Sequence, residues 1–430
     1  MSKKILIGWM VAALLMMTGC GGSISAMLSN LDLDQGQEQD QDQDQDQGQD
    51  QEQDQGQEQD QDQGQDQEQD QDQGQDQDQI VQCDAVPGYA YSQLSQVEQE
   101  IYLRLLAVVT GRQQQLTDLP GEMSSAWMGE MVQAVLADHP GIFWFNGSGE
   151  LTQKRSLWGK SCVFVPQYLY TGEQILRRQQ QIEKKTADFL AAVDVQAGDY
   201  ERALTAYEYV IQNTDYVLGA MDNQNICSVF LNGQSVCTGY AKAFQYLLQK
   251  LGIEAAYVTG QIIQTGEKHA WVLMKLAGQY YYADPTFGDP LFQGDLLFQD
   301  GQEMMVSGIS YAWFGLTTAE LEITHKLAAT RQWPRCGAVC NNYYQAEGLF
   351  LESYDRQTIG KLLSRAVAAG KPIFSCKFAN QQLYRQACQD LLEDEAIFSL
   401  LKQARGHAVG AGESLYYDCM DQKWIITVYL

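Results

Sequence analysis

The stretch Gly233-Gln234-Ser235-Val236-Cys237-Thr238-Gly239-Tyr240-Ala241 runs from a turn residue into an amphipathic segment. Tyr240, Phe244, Leu247, Leu248 and Leu251 recur at helical spacing, and Gly252 is a natural stop. Cys237 therefore stands at a predicted helix start. Unpaired N–H groups and the helix dipole favour negative charge there, which suits a thiolate. Three strand-like runs follow, at 253–258, 269–276 and 279–284, and Gly278 turns the last two into a hairpin. A helix leading into a small antiparallel sheet is an α+β arrangement.

Two further residues give Cys237 a chemical role. His269 lies 32 residues downstream, opening the apolar run His-Ala-Trp-Val-Leu-Met, and Asp284 lies 15 further on in Tyr-Tyr-Ala-Asp-Pro-Thr. A thiol, an imidazole and a carboxylate are a nucleophile, its base and the group that orients the base. Packing of the sheet on the helix brings the His strand to the helix start, and the hairpin sets Asp284 beside it. The Cys237 backbone N–H is a candidate oxyanion donor, with Gln234 as a second. Singly, each residue has a plain structural explanation: a buried thiol, a satisfied core histidine, an Asp-Pro turn. Their order and context together favour catalysis. His139, His325 and His407 lack such context; His139 belongs to a His-Pro turn signal and His407 to a Gly-rich loop. No cofactor or metal is expected. Cys336-x-x-x-Cys340 lacks a second Cys/His pair at zinc spacing.

From Ala203 to Pro290 the chain resembles a transglutaminase-like domain of the papain-like thiol fold. Gly233-x-x-x-Cys237-x-Gly239-Tyr240-Ala241 is similar to the nucleophile motif, and Gly252-Ile253 to a Gly-Ile element before a strand. His269-Ala270-Trp271 and Asp284-Pro285-Thr286-Phe287-Gly288-Asp289-Pro290 are similar to the His and Asp motifs. The resemblance implies Cys237 as nucleophile, His269 as general base and acid, and Asp284 as orienting carboxylate. It also points to Tyr240, Trp271 and Phe287 as candidates for the substrate cleft. Val272 stands where many relatives have Asn, and Phe287 where Trp is usual. The surrounding layout resembles bacterial transglutaminase-like lipoproteins, with His139-Pro140, Phe143-Trp144, Asn342-Tyr343-Tyr344 and Gly348 in place.

The ends of the chain set expectations for location. Lys3 and Lys4 precede an apolar run, Ile5 to Met17, too short to span a bilayer and suited to a signal peptide. The sequence Met-Thr-Gly-Cys then resembles a lipobox, with Cys20 as the lipidated residue and residues 1–20 as the leader. Such a protein is anchored to a membrane on its extracytoplasmic side. Residues 21–80 form a linker in which Gln occupies every odd position from 35 to 79. Positions 34–78 carry 18 acidic side chains and no basic one, about two-thirds of the net charge of −27. Without apolar residues the run cannot bury a core, so disorder is predicted, with a reach of about 150 Å when extended. The acidity argues against nucleic acid as a partner.

The remaining chain divides into a mainly helical region at 81–198, the core at 199–295 and a C-terminal α+β region at 296–430. In the first, helices are predicted at 92–110, with a capping box at Ser95 and Glu98, and at 124–138 and 173–194, and a further helix at 199–213 opens the core; Ile142–Phe145 and Val163–Tyr170 read as strands. In the last, strands are predicted near 349–354, 372–378, 415–419 and 424–430, and helices at 356–369 and 380–404. Eight cysteines beyond Cys20 and Cys237 leave room for up to four disulfides. The sequence points to a thiol enzyme acting on amide bonds of a peptide or protein substrate, with cell-wall-associated substrates in reach of such an anchor, by hydrolysis or by acyl transfer. The alternative is a catalytically silent binding module on the same fold.

Overall fold

The computed structural model describes residues 5–8, 88–156, 159–290, 296–299, 302–305, 308–407 and 415–430. The proposed anchor Cys20 and the Gln/Asp-rich linker lie outside these residues.

The helix that begins at Cys237 organises the centre of the molecule. It spans Cys237–Lys250 (α2) and buries Tyr240, Phe244, Leu247 and Leu248 along one side. Burying each such side chain is worth about 1.5–3 kcal/mol. Gly252, at a φ of 75°, ends it where the sequence predicts. The helix Asp199–Gln212 (α1) packs beside it through Tyr207, whose ring meets Phe244 edge-on at 5.8 Å.

A five-stranded antiparallel sheet covers these helices. Its strands are Ala255–Ile262 (β1), Lys268–Leu276 (β2), Gln279–Ala283 (β3), Phe314–Leu316 (β4) and His325–Leu327 (β5), in the order β4-β3-β2-β1-β5. Strand β2 shows why two faces are buried. Ala270, Val272, Met274 and Leu276 pack with the helices, while Trp271 and Leu273 join a second apolar cluster containing Trp313, Tyr344, Met420 and Ile425. Both edge strands come from beyond residue 295, where the sequence reading ends the core.

N-terminal to the core, the helices Gln96–Thr110, Ser125–Asp138 and Gly172–Ala192 form as predicted, together with a three-stranded antiparallel sheet of Leu116–Pro120, Phe145–Ser156 and Gly159–Tyr168. The expected capping box is present at Ser95 and Glu98. The strand expected at Ile142–Phe145 is displaced: Ile142–Trp144 is a turn, and the strand starts at Phe145. The apolar run is buried because Trp144 inserts and donates its indole N–H to the Val109 carbonyl at 3.0 Å. Burial, not strand pairing, accounts for its composition.

The C-terminal region contains the strands Phe350–Leu351, Ile373–Phe378 (β6), Leu415–Met420 (β7) and Ile425–Tyr429 (β8), joined by Ile5–Gly8 lying parallel to β7. Helix Arg356–Ala368 matches expectation, whereas the helix expected at 380–404 is interrupted. It widens to a π-turn at Cys388–Glu393 and restarts at Ala396, after Glu395 takes a φ of 58°. The eight cysteines among the described residues are free thiols, so none of the disulfides for which the count leaves room is formed between them.

Candidate active site

Cys237 is the first residue of α2, following the extended residue Val236, which offers no side-chain cap. Gly239 and Tyr240 both donate their N–H groups to the Val236 carbonyl, at 3.0 Å and 3.2 Å, so the N–H groups ahead of them, of Cys237 and Thr238, precede the first intrahelical bonds. Gly239 permits this entry. A Cβ there would lie 1.9 Å from the Ser235 hydroxyl and 2.5 Å from that of Ser228, which are themselves 2.7 Å apart.

His269 heads β2, opposite Gly260 of β1. Its imidazole faces Cys237, which contributes to its charge state, and is hydrogen-bonded to Asp284, with Nε2 2.8 Å from Oδ2. Since Nε2 is engaged by Asp284, Nδ1 is the nitrogen left for sulfur. Cys237 and His269 keep 7% and 6% exposure, and Asp284 has none. The site is thus nearly dry, with a narrow opening at the thiol.

Asp284 owes its geometry to the Pro that follows. It is the N-cap of the single turn Pro285–Gly288, and Oδ1 accepts the backbone N–H groups of Thr286 at 2.9 Å and Phe287 at 3.1 Å. Its own N–H donates to the Trp313 carbonyl at 2.9 Å. The Asp-Pro turn and the carboxylate that meets His269 are therefore one device: the cap fixes Oδ1 and leaves Oδ2 for imidazole. Gly288 leaves space for Tyr207, since a Cβ there would lie 2.0 Å from the phenol oxygen.

Oδ2 has a second partner that the sequence did not indicate. Nε2 of His325, from edge strand β5, lies 3.0 Å away, and the Thr324 hydroxyl lies 2.7 Å from its Nδ1. His325 is wholly buried. Trp271, Phe287 and Trp313 enclose the two imidazoles, with ring centroids 4.8–5.9 Å from one or the other. The segment Thr324-His325-Lys326 carries no motif, and only the pairing of β5 on β1 brings it here.

Burial opposes charge on His269, but the Asp284 carboxylate and the Cys237 contact outweigh it and push the imidazole up to about 10. Burial likewise disfavours the Asp284 charge, yet His269 and then His325 hold its carboxyl below the usual range. His325 is driven down by burial in spite of Asp284. The site therefore holds one imidazolium, one neutral imidazole and one carboxylate at neutral pH.

Donor atoms of His269, Asp284 and His325 lie within 4.8 Å of one another, close enough to surround a cation. However, the four acceptor positions of the carboxylate are already taken by four N–H groups. The cluster is satisfied as a hydrogen-bond array.

The other expected residues fall differently. Gln234 is exposed on a short strand paired with Asp215, three residues before Cys237. Tyr240 and Trp271 are fully buried, so neither lines an open substrate cleft. Tyr240 instead donates to the Thr214 carbonyl at 2.7 Å and Asp289 at 2.6 Å, while Trp271 packs on both histidines. Phe287 is partly buried and forms a wall of the imidazole enclosure. Tyr216 and Tyr257 lie close enough to Cys237 for its thiolate charge to add to the burial that raises their phenols. Neither tyrosine is among the site residues to which the sequence points. Cys227 is a buried free thiol pushed up to about 12 by its burial.

Residues 189–285 match the model of the transglutaminase-like superfamily. Among solved structures, the chain is similar to a TGase at 14% identity, over 37% of this chain and 47% of that one, with a TM-score of 0.24. It is also similar to the periplasmic domain of TgpA from Pseudomonas aeruginosa, bound to ethylmercury, at 19% identity over 30% of this chain and 55% of that one, with a TM-score of 0.21. The chain thus spans about half the length of these structures. No match to a curated protein was found.

Proposed function

Because residues 189–285 form a transglutaminase-like domain, we propose that this chain is a thiol enzyme that cleaves or exchanges amide bonds through Cys237, His269 and Asp284. The observation that carries the reading is the continuous buried chain of contacts from the Cys237 thiol through His269 to Asp284. The free state of Cys237 and its contact with imidazole favour catalysis over a silent binding module.

In this mechanism the Cys237 thiolate attacks the amide carbonyl carbon, forming a C–S bond and moving the carbonyl π electrons onto oxygen. The first N–H groups of α2, beginning with that of Cys237, face the developing oxyanion. The His269 imidazolium gives its Nδ1 proton to the leaving nitrogen as the C–N bond breaks, releasing an amine and leaving a thioester. Asp284 holds the imidazole by Nε2 throughout. Water or a second amine then attacks the thioester and passes its proton to His269. A carboxylic acid or a new amide leaves, and Cys237 is restored. Water makes the protein a peptidase or amidase, and an amine makes it a transglutaminase.

The sequence of residues 1–20 supports placing this activity outside the cytoplasmic membrane, held by lipid on Cys20, with peptide or protein substrates near the cell wall. Mass spectrometry of protein recovered from membranes tests the anchor: a diacylated N-terminal Cys20 is expected, and an unmodified intact leader would refute it. For the chemistry, an electrophilic probe labels Cys237 in the parent and fails to label that position in Cys237→Ala. Equal labelling of the two proteins would remove Cys237 as nucleophile. Incubation with Gln- and Lys-containing peptides separates the two outcomes, since ammonia release without cross-linked product marks hydrolysis.

A further inference from the structure

We propose that His325 is a second positioning residue of this site, acting through Asp284 to hold the His269–Cys237 pair in its reactive form. The inference rests on the thiol-enzyme reading. Its basis is geometric: two imidazole Nε2 atoms converge on one carboxylate oxygen, at 2.8 Å and 3.0 Å.

Hydrogen-bond bookkeeping fixes the protons. Oδ2 is an acceptor, so each Nε2 carries hydrogen. Neutral His325 then leaves Nδ1 as an acceptor, and the Thr324 hydroxyl at 2.7 Å donates to it. His325 is thus an immobile N–H donor locked at both ends. Asp284 needs such a donor. The turn Pro285–Gly288 fixes Oδ1, but without His325 the other oxygen would be held only by His269, the group that must exchange protons during turnover. A carboxylate gripped by a stationary imidazole keeps the moving one in plane. The same hydrogen bond favours the ionised form of Asp284, and an ionised carboxylate is what keeps the proton on His269.

The arrangement also gives His325 a pH response. On protonation, Nδ1–H turns toward the Thr324 oxygen, and that hydroxyl turns to the Leu321 carbonyl, 3.4 Å away. Asp284 would then face two imidazolium ions, and its hold on His269 would weaken. The charged groups around His325 are Asp284 and His269 within the site and Lys423 of the C-terminal region, which lies over the Trp313 ring at 3.9 Å. Glu320, beyond them, is paired with Lys377. The two cationic neighbours and burial resist protonation of His325, so the response belongs on the acid side of neutrality.

The test is the rate of Cys237 alkylation by iodoacetamide in the full chain as a function of pH, with the labelled peptide identified by mass spectrometry. H325L, which removes the donor, slows alkylation at neutral pH on the order of 10-fold, as expected for one hydrogen bond to a charged group. H325Q places an amide N–H near the position of Nε2 without a titrating ring. It keeps the rate within about threefold and flattens the acid limb. T324V retains the ring but removes the acceptor of the protonated form, moving the acid limb to lower pH. Identical rates and pH profiles for H325L and the parent overturn the proposal. If H325L does not fold, superimposable profiles for H325Q, T324V and the parent overturn it equally. A parent whose alkylation is unchanged by His269→Ala refutes the thiol-enzyme reading itself, and is recognised as such because that comparison contains no change at His325.

Discussion

Asp284 carries four hydrogen bonds at its carboxylate, two to each oxygen, and this saturation explains both its ionisation and its rigidity. Asp284→Asn keeps an oxygen for the cap but turns an NH2 group toward two imidazole N–H donors. The clash of like donors forces His269 into the wrong tautomer, and the alkylation rate of Cys237 should fall by about 10³–10⁴. A rate within threefold of the parent would show that the carboxylate does not orient His269. The pH dependence of His269 has a definite sign. Its folded value, about 10, lies above the ordinary 6.5, so the stabilisation from the ion pair is full below about 6.5 and is lost as pH rises toward 10. The alkylation profile of the parent should therefore show a step as His269 loses its proton near pH 10. In His269→Ala that step should be missing. Parallel profiles for the two proteins would contradict the pairing.

At the scale of elements, two glycines set how closely the parts of the site approach. Gly239 lets α2 start against the Ser228–Ser235 pair, and a Cβ there has no room. Gly239→Ala should destabilise the fold by about 1–3 kcal/mol in urea unfolding, and adding Ser235→Ala should restore part of the loss. No recovery in the double variant would place the strain elsewhere. Gly260 does the same for β5: its Cβ would meet the Lys326 carbonyl oxygen at 2.1 Å and the Trp271 ring at 2.5 Å. Only a bare backbone allows β5 to pair closely on β1 and carry His325 inward. The predicted helix of residues 237–251 and the hairpin of 269–284 were legible because each is encoded by local periodicity and a nearby glycine. Ile142–Trp144 has the composition of a strand yet forms a turn, because a buried turn and a buried strand share the same apolar composition. The break at Glu395 was hidden within an otherwise helical pattern.

Across the whole molecule, the C-terminal region reaches the rear of the site through the turn between β7 and β8. Lys423 is buried there, donates to the Ala312 carbonyl at 3.2 Å and sits on Trp313, whose backbone in turn holds Asp284. Burial pushes this amine down to about 7 from 10.5. A depressed base destabilises the fold as pH falls, so its unfavourable contribution grows between about 10.5 and 7 and is largest below 7. Lys423→Met should raise the urea midpoint at pH 6 more than at pH 10, and an equal shift at both would show that the amine is not buried in the folded protein. The sequence by itself determined the α+β core and the Cys237, His269, Asp284 order, because each of these residues lies at the end of a locally encoded element: a helix start, a strand start and an N-capped turn. Tertiary structure alone decided that His325 joins them and that Tyr240 and Trp271 are buried. The reason is physical: β5 meets β1 through backbone hydrogen bonds between segments about 60 residues apart, and such pairing leaves almost no mark on side-chain periodicity.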